Sequence, residues 1–446
     1  MREVASSGKP LGQGEKMQRI IVASLLGLVA LGCASISHGQ AANADGGNCA
    51  SVSESYQALE GRIAAAKSEL ENLKAAHAAD SEIEARRVAI ADLIYRQDCV
   101  RPELKPNPVR GPAAQPKWVT LTTYYATNRK PGPSVDGLTP YGADRDAADL
   151  HFGRAQVSIP TNRKPGDISL PLNLILFELP ADPSKDFIIK SVAPLDGNAA
   201  IAEMRNRLGQ GSRKSVLLFV HGFNVSFNDA ALRTAQLAQD LDFPGLPVFF
   251  SWPSAGRISG YPRDEEMSTL SLDAFDQFLD QIGTLGASDI YIVAHSMGNR
   301  VVTEALARRV MSHRPMPGNL KGLLLAAPDI NADIFRQQIG PGLAALAGIS
   351  RTIYASNSDV ALKASSVLHD FPRVGLTQPH VLTYSGFETV DATDVAPVLR
   401  GYGHSYVTDS PRVIRDMQAL IFLARNAKAR GLSSAGVAPA DYWVLH

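Results

Sequence analysis

This chain is short of cysteine, of net charge and of long apolar runs, and each shortage closes off a class of protein. Three cysteines in 446 residues are too few for a disulfide framework. Neither a paired-cysteine nor a His-x-x-x-His spacing occurs, so no metal and no cofactor is expected. Basic and acidic residues both number 44 with no basic run, which argues against nucleic acid as a partner. The most apolar stretch, residues 20–31, has the length of a signal-peptide core and falls short of a bilayer span. What remains is the ordinary material of a globular fold, with 45% hydrophobic residues and 36 glycines.

Residues 1–44 read as an address. Lys16 and Arg19 precede the apolar run, and Met17 makes a more conventional start than Met1. Ala30-Leu31-Gly32-Cys33 resembles a lipobox, in which Cys33 is lipidated and becomes the mature N-terminus. Alternatively, Gly39-Gln40-Ala41 or Ala42-Asn43-Ala44 suits ordinary signal peptidase, or the segment stays as an uncleaved anchor. All three readings predict export, as a periplasmic protein or a membrane-anchored lipoprotein of a bacterium. In an oxidising compartment Cys49 and Cys99 invite a disulfide, the alternative being two free thiols.

Between those cysteines Val52, Tyr56, Leu59, Ile63, Ala66, Leu70 and Leu73 recur at alternating spacings of four and three, a heptad seam. A second helical stretch, residues 82–97, carries Ile83, Ile90, Leu93 and Ile94 on one side. Residues 49–99 therefore predict an antiparallel helical hairpin, a spacer or a surface for self-association. Residues 100–117 hold five prolines and no periodicity, which marks a semi-rigid linker.

From residue 118 to the C-terminus the pattern predicts an α/β fold, a mostly parallel sheet with helices on both faces. Strands are expected at 118–125, 155–159, 215–220, 247–251, 290–293, 320–326, 351–355 and 381–384. Helices are expected at 228–240, 265–285, 297–312, 332–338, 359–368 and 411–425. The loop between the first two strands, rich in Gly, Pro and Asp, reads as exposed. Functional groups in such sheets gather at the carboxyl ends of strands, and that rule picks out the loops.

Ala294-His295-Ser296-Met297-Gly298 lies between an apolar strand and a helix, the arrangement of a nucleophile elbow. The usual pattern is G-x-S-x-G, and Ala294 is a sterically mild departure from it. A serine at a helix start also caps helices. Upstream, His221-Gly222-Phe223-Asn224 follows another buried strand. Its Phe223 N–H, with that of Met297, supplies donors for an oxyanion. Asn224 orients this loop or contacts substrate. Downstream, His404 in Gly401-Tyr402-Gly403-His404 follows the last expected strand and has the address of the general base. The acid is Asp359, after the second strand beyond the elbow, or Asp329, after the first; both also have the address of a helix cap. His295 orients the elbow, and with Trp252 and Tyr261 it is a candidate to line the substrate site. Residues 253–266 and 340–348 are the candidate cap segments.

These residues carry a family resemblance. Tyr124-Tyr125-Ala126-Thr127-Asn128-Arg129, Phe152-Gly153-Arg154, Val220-His221-Gly222-Phe223-Asn224, Phe250-Ser251-Trp252-Pro253, Ala294-His295-Ser296-Met297-Gly298, Ala327-Pro328-Asp329-Ile330 and Gly403-His404-Ser405-Tyr406 resemble the DUF900 family of α/β-hydrolases, bacterial esterase/lipase-like proteins. The likeness runs from about residue 118 to the C-terminus and leaves the hairpin outside. It implies the α/β-hydrolase fold and a Ser-Asp-His site without naming a substrate. The expected activity is cleavage of a small-molecule or lipid ester, or of an amide or thioester, through an acyl-enzyme. The competing reading is an inactive hydrolase fold that binds or assembles in the envelope.

Overall fold

The computed structural model describes residues 56–76, 82, 86, 89, 93, 116–135, 137–169, 173–174, 177–178, 182–395, 404–436 and 441–446. The expected signal segment with Cys33, the Cys49–Cys99 pairing and nearly all of the proline-rich linker lie outside them. The described chain divides into an N-terminal helical unit and an α/β unit. Among the described residues no helix is long and apolar enough to cross a membrane.

In the N-terminal unit helix α1 spans Tyr56–Ala75. Of its expected seam, Leu59, Ile63 and Ala66 are buried and form a small core with Leu93, whereas Leu70, which packs against it, and Leu73 are half-buried. Of the second stretch, Glu82, Arg86, Ala89 and Leu93 are helical, and Arg86 bonds Glu69 at 2.6 Å.

The α/β unit is built on one 11-stranded sheet. Its strands are β1 (Trp118–Thr127), β2 (His151–Pro160), β3 (Ile188–Leu195), β4 (Ser215–Val220), β5 (Leu246–Ser251), β6 (Asp289–His295), β7 (Leu320–Ala326), β8 (Ser350–Ala355), β9 (Glu388–Asp391), β10 (Ser433–Ala435) and β11 (Tyr442–Val444). They lie in the order β10-β11-β9-β8-β7-β6-β4-β5-β1-β2-β3. The run from β11 to β1 is parallel. Antiparallel strands close both edges, β2 and β3 on one side and β10 on the other.

The helices of ten or more residues are α2 (Gly197–Gln210), α3 (Phe227–Asp240), α4 (Tyr261–Leu270), α5 (Leu272–Gly283), α6 (Gly298–Met311), α7 (Val360–His369) and α8 (Pro411–Leu423). Strand β4 shows why they sort to two faces. Every one of its residues is buried, and successive side chains point to opposite sides of a strand. Val216, Leu218 and Val220 join a core with α2, α5 and α6, whereas Leu217 and Phe219 join a second core with α3 and α8. A central parallel strand has to be apolar on both faces for this to work.

Several expectations need correction. The apolar run 381–384 is not a strand; the strand beside β8 is Glu388–Asp391, in which Val390 is the buried aliphatic residue. Tyr384 is drawn into a cluster with Phe335 and Phe387 instead. The single helix expected at 265–285 breaks at Ser271, whose hydroxyl bonds back to the Met267 carbonyl at 2.7 Å and accepts from Asn128 at 3.0 Å. The β1–β2 loop is not uniformly exposed: Arg129–Pro131 pairs with Tyr141–Arg145, and Asn128, Arg129 and Tyr141 are buried. Strand β3, helix α2 and the β10–β11 hairpin had no counterpart in the sequence pattern.

Candidate active site

Strand β6 runs between β4 and β7, and its carboxyl end delivers His295 and then Ser296 to the edge of the sheet. Ser296 has φ 52°, a left-handed backbone that costs a non-glycine residue about 1–3 kcal/mol. Neighbouring backbone holds it there. Ser296 N–H donates to the Ala326 carbonyl at 2.9 Å, and its own carbonyl accepts from Asn299 N at 3.1 Å and Asn299 Nδ2 at 2.9 Å. The loop after β4 nests against this turn only because two glycines allow it. A Cβ on Gly298 would lie 2.3 Å from the His221 carbonyl oxygen, and one on Gly222 would lie 2.6 Å from Ser296 Cβ.

The nesting brings the backbone N–H groups of Phe223 and Met297 to the same end of the sheet as Ser296. Among the described residues neither N–H has a backbone acceptor. Met297 stands at the head of the 14-residue α6, where helix N–H groups and the macrodipole favour negative charge. Asn224 has φ 57° and is exposed.

His404 and Asp359 meet across the loops that follow β9 and β8. His404 Nδ1 lies 2.8 Å from Asp359 Oδ2 and 2.9 Å from Oδ1. Asp359 is fully buried and also caps α7, accepting Leu362 N–H at 2.9 Å. The cap and the histidine contact thus share one carboxylate. Asp329 has other partners: it accepts from Tyr261 Oη at 2.5 Å and Ser365 Oγ at 2.7 Å, with Arg300 and Arg373 beside it.

Burial alone would lower the His404 pKa, but the Asp359 carboxylate, with help from the charge of Asp329, raises it above the ordinary 6.5. His295 behaves in the opposite way. Burial, with His404 nearby, pushes it down to about 3, so the ring is neutral, and Nε2 donates to the His404 carbonyl at 3.1 Å. His221 is likewise pushed down to about 3, by burial and by Arg129. Burial works against ionised Asp329, yet Arg300 and Arg373 hold its pKa below the usual value.

The residues expected to line a substrate site behave differently from one another. Trp252 is fully buried, stacks on the His221 ring at 5.0 Å and donates Nε1–H to the His221 carbonyl at 2.7 Å. It braces the His-Gly loop from behind and lines no substrate surface. Tyr261 spends its hydroxyl on Asp329, while its ring meets Phe223 edge-on at 5.0 Å. His295 tethers the His404 loop.

Two buried charges, Arg129 at the end of the Tyr124–Arg129 motif and Asp264, complete the support. Arg129 bonds Ser251 Oγ and the carbonyls of Gly142, Ser254 and Val225. Asp264 accepts from Ser254 Oγ, from the Ala255 N–H and, at 3.4 Å, from the Asn224 N–H. The available signal was the charge of Arg129 at the end of an otherwise uncharged, aromatic strand.

A parallel sheet with a strained serine turn at its centre defines an α/β hydrolase. The chain belongs to the family described as alpha/beta hydrolase of unknown function (DUF900), whose model matches residues 197–423, just over half of the chain. No curated protein matches the sequence. Among solved structures, a dienelactone hydrolase-like promiscuous phosphotriesterase from metagenomic libraries is 11% identical, covering 65% of this chain and 88% of its own, with a TM-score of 0.26. The esterase Est22 is 13% identical over 82% of this chain and 89% of its own, with a TM-score of 0.29. A phospholipase from Legionella pneumophila, in complex with thio-NAD, is 11% identical over 52% of this chain and 67% of its own, with a TM-score of 0.24. At such TM-scores these likenesses carry no weight for the activity.

Proposed function

We propose that this protein is a serine hydrolase that cleaves ester bonds through an acyl-enzyme on Ser296. His404 is the general base, Asp359 its carboxylate partner, and the Phe223 and Met297 N–H groups are the oxyanion donors. The observation that carries this reading is the bond from His404 Nδ1 to the buried Asp359 carboxylate. It leaves Nε2 as the nitrogen free to exchange a proton with Ser296, and a buried carboxylate in that position holds the tautomer and stabilises the imidazolium.

In the reaction His404 Nε2 takes the Ser296 hydroxyl proton as Oγ attacks the ester carbonyl carbon. The tetrahedral oxyanion faces the two N–H donors. Collapse breaks the carbon–oxygen bond to the leaving alcohol, which departs with the proton from His404. A water, deprotonated by the same nitrogen, then adds to the acyl group. Breakdown of that second intermediate releases the acid and restores Ser296. Asp359 keeps its charge throughout.

Turnover of short p-nitrophenyl esters by purified protein tests the reading. Ser296→Ala should abolish it while leaving the thermal midpoint within a few degrees of wild type. A Ser296→Ala protein as active as wild type would overturn it.

A further inference from the structure

We propose that His221 and Arg129 form a polarising relay behind the oxyanion loop, a positioning pair that strengthens the Phe223 N–H as a hydrogen-bond donor. The proposal rests on the serine-hydrolase reading above and extends it to residues that touch neither substrate nor Ser296 Oγ.

The Gly222 carbonyl and the Phe223 N–H are the two ends of one peptide unit. His221 Nδ1 lies 2.8 Å from the Gly222 carbonyl oxygen. A carbonyl oxygen only accepts, so Nδ1 carries the proton. The ring stays neutral because burial and Arg129 hold its pKa near 3, and Nε2 is therefore an acceptor. Two donors face that nitrogen: Ser251 Oγ at 3.2 Å and Arg129 Nη2 at 3.5 Å. Ser251 Oγ accepts from Arg129 Nε at 2.9 Å, which leaves its own proton to turn toward His221.

Every bond in this series points the same way, from guanidinium to hydroxyl, to imidazole, to carbonyl. Bonds aligned in series polarise one another. Donation into the Gly222 carbonyl draws electron density from the peptide nitrogen of Phe223 and makes its N–H more acidic. The head of the series carries a full charge. Arg129 is buried, and the charges of Asp264 and Asp229 reach it through space; its other bonds go to backbone carbonyls. Trp252 stacks on the imidazole and holds its plane. A donor sharpened in this way stabilises a developing oxyanion more than a neutral carbonyl, so its effect belongs to kcat rather than KM.

The test uses two substitutions of one residue. In His221→Asn the amide nitrogen occupies the position of Nδ1 and keeps the donor to Gly222. In His221→Gln the amide reaches the position of Nε2 and that donor is lost. The readouts are kcat and KM on p-nitrophenyl acetate, with the thermal midpoint and the nitrogen-15 tautomer signature of wild-type His221. The relay predicts that His221→Gln lowers kcat roughly 10- to 100-fold at unchanged KM. His221→Asn should recover most of that loss, Ser251→Ala should lower kcat a few-fold, and His221 should be protonated at Nδ1. Equal losses in the two histidine variants, a loss confined to KM, or protonation at Nε2 would overturn it. If neither histidine variant folds, the tautomer and Ser251→Ala decide. A wild type inert toward every ester overturns the hydrolase reading and this proposal together, whereas equal variants in an active enzyme overturn the relay alone.

Discussion

The imidazole of His295 donates through Nε2 to the backbone carbonyl of His404 at 3.1 Å. The residue beside the candidate nucleophile therefore fastens the loop that carries the candidate base, and the two rings lie 4.8 Å apart. Replacing His295 with Ala removes one half-buried hydrogen bond, worth about 1 kcal/mol. The expected result is a roughly three- to tenfold fall in kcat. His295→Gln keeps a donor at the Nε2 position and should recover most of it. Steady-state kinetics of the two variants check this, and equal losses would count against the tether.

Asp359 and Asp329 are separated by their partners, and their variants should fail differently. Asp359→Asn spoils the tautomer of His404 and should lower kcat on the order of 10³- to 10⁴-fold. Asp329→Asn leaves Arg373 facing an uncharged group in a buried cluster, while Arg300 keeps its ion pair with Glu265 at 2.8 Å. Its main cost should be stability, roughly 3–5 kcal/mol, read as a lower urea midpoint, with far more kcat retained than in Asp359→Asn.

The close approach of Gly222 to Ser296 makes a single methyl group intolerable. In Gly222→Ala the new Cβ would sit 2.6 Å from Ser296 Cβ and 3.0 Å from the His295 carbonyl. Overpacking of this kind costs about 1–3 kcal/mol, and here the strain falls on the oxyanion loop. Thermal melting should show a drop of several degrees, and ester turnover should fall further than stability accounts for. A variant with wild-type kcat would mean that the loop does not serve the site.

The histidines give opposite pH signs. His404 is raised above 6.5, so kcat/KM should climb with pH along a limb centred above that value, and the limb should move to lower pH in Asp359→Asn. For stability, the same shift is a contribution fully present below 6.5 that is lost as pH rises through the folded pKa. His221 and His295 have folded pKa values of about 3 against an ordinary 6.5. The unfolded chain takes up their protons between those values while the native state does not, so stability falls as pH falls through that window. The limiting slope is about 1.4 kcal/mol per pH unit for each histidine. Urea midpoints between pH 6.5 and 5 should show this decline, shallower in His295→Gln; a flat profile would contradict it.

Much of this was legible in the sequence, for identifiable reasons. Strands β4 and β7 have the expected bounds because a central parallel strand must be apolar on both faces. The histidine and carboxylate addresses follow from strand order, and the structure brings His404 to Asp359 rather than to Asp329. The sequence left the acid open because Asp359 has a cap's address as well, and in the folded chain its carboxylate bonds both the Leu362 N–H and His404 Nδ1. Strand β9 was hidden because Glu388-Thr389-Val390-Asp391 carries a single aliphatic residue, while the nearby run 381–384 has a strand's composition and packs as a loop. The burial of Arg129 was not legible because it depends on carbonyls supplied by loops remote in sequence. The part played by Trp252 was not legible because an aromatic beside a site loop looks the same whether it faces substrate or braces the loop from behind.

The central claim is that Ser296 is an activated nucleophile. Incubating the protein with a fluorophosphonate and mapping the adduct by peptide mass spectrometry tests it without knowledge of the substrate. One adduct, on the peptide that contains Ser296 and absent in Ser296→Ala, is the predicted result. An unmodified Ser296 in protein that is folded by circular dichroism would contradict it.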